Sequence, residues 1–138
     1  ENFRKAFHGF DPHRIARYGA RDIDRLLKND GIIRSRAKIE AAIKGARLWL
    51  EIEEEPGGFR DFIWKHVDGK PVDNKFKTRD QIPAQSEMSE NLARDLKQRG
   101  FNFCGPVISY AFAQAVGMVN DHVTNCFRHG ECARHGKR

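Results

Sequence analysis

The stretch Gly31-Ile32-Ile33-Arg34-Ser35-Arg36-Ala37-Lys38 decides the fold, because it joins two amphipathic segments through a glycine turn. Before it, apolar residues recur at helical spacing at Ile23, Leu26 and Leu27, and Asn29-Asp30-Gly31 interrupts the pattern. After it, the same spacing resumes at Ile39, Ala42, Ile43, Ala46 and Leu50. The sequence therefore predicts two helices joined by a tight turn, a helix-hairpin-helix.

The second predicted helix carries cations at its start. Arg34, Arg36 and Lys38 are predicted to fall in its first turns, where unpaired N–H groups and a partial positive charge suit a phosphate. We therefore predict that a nucleic-acid backbone is bound by Gly31, Ile32, Ile33, Arg34, Arg36 and Lys38. An alternative stays open, since two packed helices with a glycine turn and a solvated basic face occur in many helical proteins.

Composition indicates one domain with a polyanionic partner. A chain of 138 residues is long enough for one domain with its own core, and no apolar run is long enough to cross a membrane. The formal net charge is +6, and residues 1–45 hold 11 Lys and Arg against 6 Asp and Glu. Such a basic region fits a polyanion. Three cysteines, an odd number, argue against a disulfide framework, so we expect a reducing, cytoplasmic compartment.

Local signals along the rest of the chain complete an all-α prediction. Asp11-Pro12 is typical of a helix start, and Gly100 is typical of the end of a helix over residues 86–99. Residues 107–119 form the most apolar segment, for which we predict a buried helix. Glycine, proline and few apolar residues in 68–84 predict a long surface connection. No repeat and no strong strand alternation is present.

Histidines and cysteines cluster toward the C-terminus. His122 and Cys126 are four residues apart, so on a helix they face the same way, and imidazole and thiolate are common zinc ligands. His129, Cys132 and His135 follow at intervals of three. Three interpretations stay open on spacing alone: a zinc knuckle within the tail, a zinc clasp that joins distant segments, and an unstructured tail.

Taken together, these motifs resemble the DNA-3-methyladenine glycosylase I family of the helix-hairpin-helix superfamily, from Glu1 to about Cys126. The motifs, in order, are Glu1-Asn2-Phe3-Arg4-x-x-Phe7, Phe10-Asp11-Pro12, Gly31-Ile32-Ile33-Arg34-x-Arg36-x-Lys38-Ile39, Phe62-x-Trp64, Lys97-x-Arg99-Gly100-Phe101-x-Phe103-x-Gly105 and Phe112-x-Gln114-Ala115-x-Gly117-x-Val119-Asn120-Asp121-His122. Each is weakly specific alone, but this order over most of the chain is strong evidence. We therefore assign residues 1–126 to an N-terminally incomplete glycosylase domain and 127–138 to a basic tail with His and Cys.

The resemblance implies a base-excision repair enzyme that removes 3-methyladenine from double-stranded DNA. The damaged base must leave the stack to be reached, and it is easier to flip than a normal base. Methylation at N3 makes the base a good leaving group, so water attacks without a protein nucleophile and leaves an abasic site. Lys38 is accordingly interpreted as a phosphate contact or a solvated residue. Family membership also makes Tyr110, Ala111 and Phe112 candidates for the base pocket.

The same resemblance implies a structural zinc site that ties the two ends of the domain together. The matching ligands in this chain are His122 and Cys126, and their partners in the family are a Cys and a His near the N-terminus. We interpret Asn120 and Asp121 as caps of a short terminal helix, with a contact of Asp121 behind the zinc ligands as the other possibility.

The resemblance finally implies a chain without its catalytic part. Glu1 corresponds to a point roughly fifty residues into a typical member, so we expect the catalytic residues upstream of Glu1, a monomer, and no activity from this chain alone. Two other classes of protein stay open: a non-enzymatic helix-hairpin-helix DNA-binding module with a zinc-stabilised C-terminus, and a zinc-clasped protein-interaction domain. A Cys, a His, several Trp or Tyr and a Glu encoded upstream of Glu1 favour the enzyme.

Overall fold

The structure, a computed structural model, describes residues 1–135 and is mostly helical, which confirms the all-α prediction. None of its helices in this range is long and apolar enough to span a bilayer. The elements are α1 (Asn2–Ala6), α2 (Pro12–Ile15), α3 (Ala20–Leu27), α4 (Arg36–Glu53), α5 (Gly58–Trp64), α6 (Glu87–Gln98), α7 (Pro106–Ala115) and α8 (Phe127–His135), with strands β1 (Val72–Asp73) and β2 (Val119–Asn120) and 3-10 turns at His8–Phe10, Lys65–Val67 and Arg79–Gln81. The chain forms two compact units: residues 1–59 with 97–103, and residues 60–96 with the chain from Cys104 onward.

The first unit contains the two helices that the central stretch predicts. α3 and α4 lie on either side of the turn and contribute Leu26, Ile39 and Ile43 to one hydrophobic core. Because Ile39 and Ile43 are four residues apart, they share one face of α4. Phe7 and Ile15 from the preceding segments are buried in the same core. Burial of this face therefore holds the turn between the helices in place.

Two predicted helix boundaries are confirmed. The Asp11 carboxylate accepts hydrogen bonds from the backbone N–H groups two and three residues later, at 2.9 and 3.3 Å, so Asp11 caps α2. Gly100 follows the end of α6 with φ of +97°, in the left-handed region that favours glycine. Both boundaries depend on residues next to one another in sequence, which is why the sequence alone predicts them.

The prediction of a buried helix over residues 107–119 is wrong in extent and in burial. α7 ends at Ala115, and the chain then continues into β2. Tyr110 is buried, but the neighbouring Val107 and Ile108 are exposed. Because α7 is apolar on nearly all sides, its sequence has no polar stripe to mark which face is covered.

Residues 68–84, for which we predict a surface connection, contain a short strand. β1 pairs in parallel with β2, with Val72 opposite Val119 and Asp73 opposite Asn120. A strand of two residues is too short for the alternation by which strands are recognised in sequence. The pairing brings residue 74 next to the segment that leads into His122, and so positions the polar groups described below.

A buried histidine lies beside an ion pair in the second unit. His66 Nε2 is 3.3 Å from Asp95 Oδ2, and Lys65 Nζ is 2.8 Å from the same oxygen. The His66 side chain is only 9% exposed, and its Nε2 has no hydrogen-bond partner among the described residues. Burial lowers the pKa of His66, and the charge of Asp95 opposes this shift while that of Lys65 adds to it.

We expect the free energy of unfolding to decrease as the pH falls from about 7 to about 5, because the unfolded chain protonates His66 more readily than the folded protein does. A hydrogen bond from Lys65 lowers the pKa of Asp95. Asp95 therefore contributes to the pH dependence of stability only at more acidic pH. His66→Gln should therefore reduce the pH dependence in this window, as measured by urea unfolding at several pH values. The exposed His13→Gln is the control, and an unchanged pH dependence in His66→Gln would contradict the prediction.

Candidate nucleic-acid interface and metal-binding residues

The turn between α3 and α4 places cations next to the start of a long helix. α4 begins at Arg36, so Arg34 lies before the helix and not in its first turn, which corrects the prediction. Ser35 holds the N-cap position without a side-chain capping hydrogen bond, and the first turn of α4 has no acidic residue. The N–H groups at this helix start are therefore without a side-chain cap, a condition that suits a phosphate.

The two isoleucines of the turn differ in burial, since Ile32 is buried and Ile33 is exposed. Ile32 is 6% exposed and belongs to the core of the first unit, whereas Ile33 is 65% exposed. Gly31 lies in a tight space, since a Cβ there would be 3.1 Å from Asn29 Oδ1 and 3.3 Å from Asn2 Nδ2. Ile32 thus fixes the turn from inside, while Ile33 is available to a partner.

The three cations of the predicted interface differ in how far their charge is compensated. Arg36 lies 3.8 Å from Asp24 and 3.5 Å from Glu40, two exposed pairs in which its guanidinium is shared. Arg34 is exposed and has no ion-pair partner within residues 1–135. Lys38 is exposed as well, and it borders an apolar groove of about 730 Å³. Among the described residues, Arg34 and Lys38 therefore have charges near the helix start that no ion pair compensates, unlike Arg36.

A second candidate site is a cavity of about 850 Å³ in the second unit. Of the three predicted base-pocket residues, Ala111 lines this cavity, together with Gln114 one turn later. Tyr110 is buried behind it, and Phe112 is exposed at the surface of α7. Ala111 is thus the one member of this predicted set that faces the cavity, and the assignment of all three to a base pocket stays a prediction.

Asp121, which we predicted to cap a helix, is a buried carboxylate at the edge of this cavity. Asp121 is 8% exposed and accepts three hydrogen bonds: from Tyr110 Oη at 2.5 Å and Gln114 Nε2 at 2.9 Å on Oδ2, and from Asn74 Nδ2 at 2.7 Å on Oδ1. Asn120 Nδ2 donates to Asp73 Oδ1 at 2.9 Å and to the His129 carbonyl at 3.1 Å. Neither residue caps a helix, so that prediction is wrong.

The hydrogen bonds around Asp121 also determine the protonation state of Tyr110. Burial, followed by the hydrogen bond to Asp121 and the negative charge of that carboxylate, raises the pKa of Tyr110. Tyr110 therefore stays protonated, and its O–H group donates a hydrogen bond to Asp121. Asn74 lies far away in sequence, and no local pattern marks it as a partner. The only signal in the sequence was a carboxylate two residues after Val119, between polar neighbours.

The two predicted zinc ligands are neighbours in the structure. His122 Nδ1 lies 4.0 Å from Cys126 Sγ. Two such ligands on one tetrahedral zinc ion would be about 3.5 Å apart, given Zn–N and Zn–S bonds of about 2.0 and 2.3 Å. A hydrogen bond of 2.8 Å from Cys126 N to the Val123 carbonyl closes the turn that brings them together. The pair fits half of a zinc site.

The other tail candidates do not join this pair. His129 Nε2 lies 3.1 Å from the Asn74 carbonyl and 3.4 Å from Asp73 Oδ1, and Cys132 lines the same cavity as His122. The side chain of His135 is outside the described part of the chain. Among the side chains that the structure describes, no three from His, Cys, Asp or Glu are grouped to hold a metal. The zinc site therefore stays a prediction.

The helical fold and the basic turn define the class: an all-α protein with a surface suited to a polyanion. The sequence profile of the family described as methyladenine glycosylase matches residues 1–129, and the chain belongs to this family.

Relatives and solved structures agree with this assignment. A DNA-3-methyladenine glycosylase of Haemophilus influenzae and DNA-3-methyladenine glycosylase 1 of Escherichia coli are each 44% identical over 126 residues. The match covers 91% of this chain and 68% and 67% of these relatives, respectively. A crystal structure of a 3-methyladenine DNA glycosylase I is similar with a TM-score of 0.87 and 50% identity, and covers 91% of this chain and 69% of that one. The Staphylococcus aureus enzyme, solved to explain 3-methyladenine recognition, has a TM-score of 0.86 and 36% identity over 91% of this chain and 67% of its own.

Proposed function

We propose that this chain belongs to a DNA glycosylase of base-excision repair that hydrolyses the N-glycosidic bond of 3-methyladenine in alkylated double-stranded DNA. The observation that carries the proposal is the family match over residues 1–129, together with 44% identity to two relatives named for this activity. We further propose that it acts as a monomer in the cytoplasm.

The turn between α3 and α4 is the proposed DNA-binding surface. Arg34 and Lys38 are exposed next to an uncapped helix start, so they would contact phosphates without reading sequence. A repair enzyme needs this property, because damage occurs in any sequence. Ile33, exposed beside Arg34, adds an apolar contact at the same surface.

The hydrolysis needs little chemical assistance from the protein, because the damaged base is a good leaving group. A base methylated at N3 is cationic, so the bonding electrons of the glycosidic bond leave with it as neutral 3-methyladenine. A water oxygen forms the new bond to the sugar C1′, loses a proton to solvent and leaves an abasic site. The protein has to hold the flipped base outside the stack. Ala111 and Gln114 line the cavity that we assign to this task.

Release of free 3-methyladenine from methylated DNA tests the proposal. The assay compares the chain as printed with the chain preceded by any residues that its gene encodes upstream of Glu1, and uses unmethylated DNA as the control. Release that needs the upstream residues would place the catalytic groups there, as the family resemblance implies. DNA binding without release by either protein would refute the enzyme and favour the non-enzymatic binding module.

Arg34→Ala is expected to weaken DNA binding about tenfold, because a hydrogen bond to a charged group contributes about 1.5–3 kcal/mol. The slope of log K against log salt should also become shallower by about one. Arg36→Ala should have a smaller effect, since Asp24 and Glu40 already share its charge. Fluorescence anisotropy over a salt series measures both quantities, with Arg94→Ala in the second unit as the control. If wild type and Arg34→Ala bind DNA with equal affinity, the turn is not part of the DNA interface.

We also propose that His122 and Cys126 hold a structural zinc ion. Their separation of 4.0 Å and the chemistry of imidazole and thiolate support this. When bound, the zinc ion would cross-link segments of the chain and stabilise the fold, without a part in the reaction.

A further inference from the structure

The C-terminal helix α8 forms one side of the cavity in the second unit. Cys132 and Ala133 line the cavity, as do the α7 residues Ala111 and Gln114. Phe127, at the other end of α8, is exposed. Residues 127–135 thus form a helix with one face toward the candidate base site.

A single histidine attaches this face of α8 to the sheet. His129 is 14% exposed, and its Nε2 lies 3.1 Å from the Asn74 carbonyl and 3.4 Å from Asp73 Oδ1. The Asn120 side chain donates to the His129 carbonyl at 3.1 Å. Both β1 and β2 thereby contact α8 at the same residue.

Helix geometry links this attachment to the cavity wall. Cys132 and Ala133 follow His129 by three and four residues, so all three lie on one face of α8. When His129 is held against β1, the next turn of the same face is held against the cavity. The side chains there are small, which leaves the space free.

We propose that α8 is a wall of the base site, that Cys132 and Ala133 limit the size of the alkylated purine that enters, and that His129 is the positioning residue that holds this wall. The proposal rests on the proposed glycosylase function. It identifies a feature of this chain that determines which N3 substituents are accepted, since a larger group on the base needs the space that these two small side chains leave.

The first test measures whether His129 holds the wall, and needs no substrate. Alkylation of Cys132 by N-ethylmaleimide is followed by peptide mass spectrometry, with Cys104 in the same sample as the internal reference. His129→Ala should raise the Cys132 rate at least about tenfold and leave Cys104 unchanged. His129→Gln, which keeps a side-chain N–H donor, should restore the wild-type rate. An unchanged Cys132 rate in His129→Ala would overturn the positioning role.

The second test measures size selection. Ala133→Leu should raise the ratio of kcat/KM for 3-methyladenine over 3-ethyladenine about tenfold, because a filled pocket discriminates single methylene groups by this order. The adjacent and exposed Arg134→Leu is the matched control and should leave the ratio unchanged. An unchanged ratio in Ala133→Leu, with normal release of 3-methyladenine, overturns the proposal and leaves the glycosylase function intact. No release by the wild-type protein that carries any residues encoded upstream of Glu1 would instead overturn the glycosylase function and the size selection with it, while the labelling result still decides whether His129 holds α8 in place.

Discussion

Asp121→Ala is expected to lower the free energy of unfolding by about 3–5 kcal/mol, because it removes one carboxylate on which three donors converge. Tyr110, Gln114 and Asn74 would all lose their acceptor, and Tyr110 is buried. The residues come from α7, from the segment after β1 and from the segment after β2. Loss of Asp121 therefore loosens three segments at once.

Urea unfolding of the variant and of a matched control checks this prediction. Asp80→Ala removes an exposed carboxylate and should change stability by less than about 0.5 kcal/mol. Tyr110→Phe, which leaves two donors on Asp121, should cost about 1–3 kcal/mol and remains measurable even if Asp121→Ala does not fold. If Asp121→Ala and Asp80→Ala unfold at the same urea concentration, the network contributes nothing to stability.

Cys126→Ala and His122→Ala should each abolish stoichiometric zinc binding and lower the thermal stability of the protein. A site that keeps three ligands of four binds the metal far more weakly, and the binding free energy of a structural zinc is part of the folding free energy. The expected wild-type result is one zinc ion per chain, in the protein with any residues encoded upstream of Glu1. Metal analysis after dialysis measures the content, and a thermal melt measures the stability.

Cysteine controls separate this site from a site in the tail. Cys104→Ala removes a thiol whose pKa burial raises, and it should leave the zinc content unchanged. Cys132→Ala should also keep the metal, since Cys132 lines the same cavity as His122 but does not form a group of three candidate ligands with His122 and Cys126. Loss of zinc in Cys132→Ala but not in Cys126→Ala would assign the metal to the tail instead. A wild-type protein without zinc would refute the site altogether.

Features that depend on neighbouring residues were predictable. Asp11 and Gly100 mark helix ends through their own side chain or backbone conformation, and both predictions are confirmed. The motifs that resemble the glycosylase family also lie within short stretches, and the family assignment is confirmed over residues 1–129. The predicted start of the second hairpin helix was wrong by two residues, because the Arg34 side chain gives no signal that distinguishes a turn from a first helical turn.

Features that depend on distant partners were not predictable. The sequence presents Asn120, Asp121 and His122 as one polar run, and capping is the local role for such residues. The partners of Asn120 and Asp121 include Asp73, Asn74 and Tyr110, which only the pairing of β1 with β2 and the packing of α7 bring near. A run of polar residues shows that hydrogen bonds are needed, but not where they go.

The sequence by itself determined the helical class, the basic turn and the family, because periodicity, charge and motif order are properties of short stretches. The tertiary structure alone decided which of Arg34 and Arg36 has a free charge and that Asp121 is buried under three donors. It also decided that α8 borders a cavity. Each of these depends on a distance between residues far apart in the chain, and such distances are set by packing, which no local pattern contains.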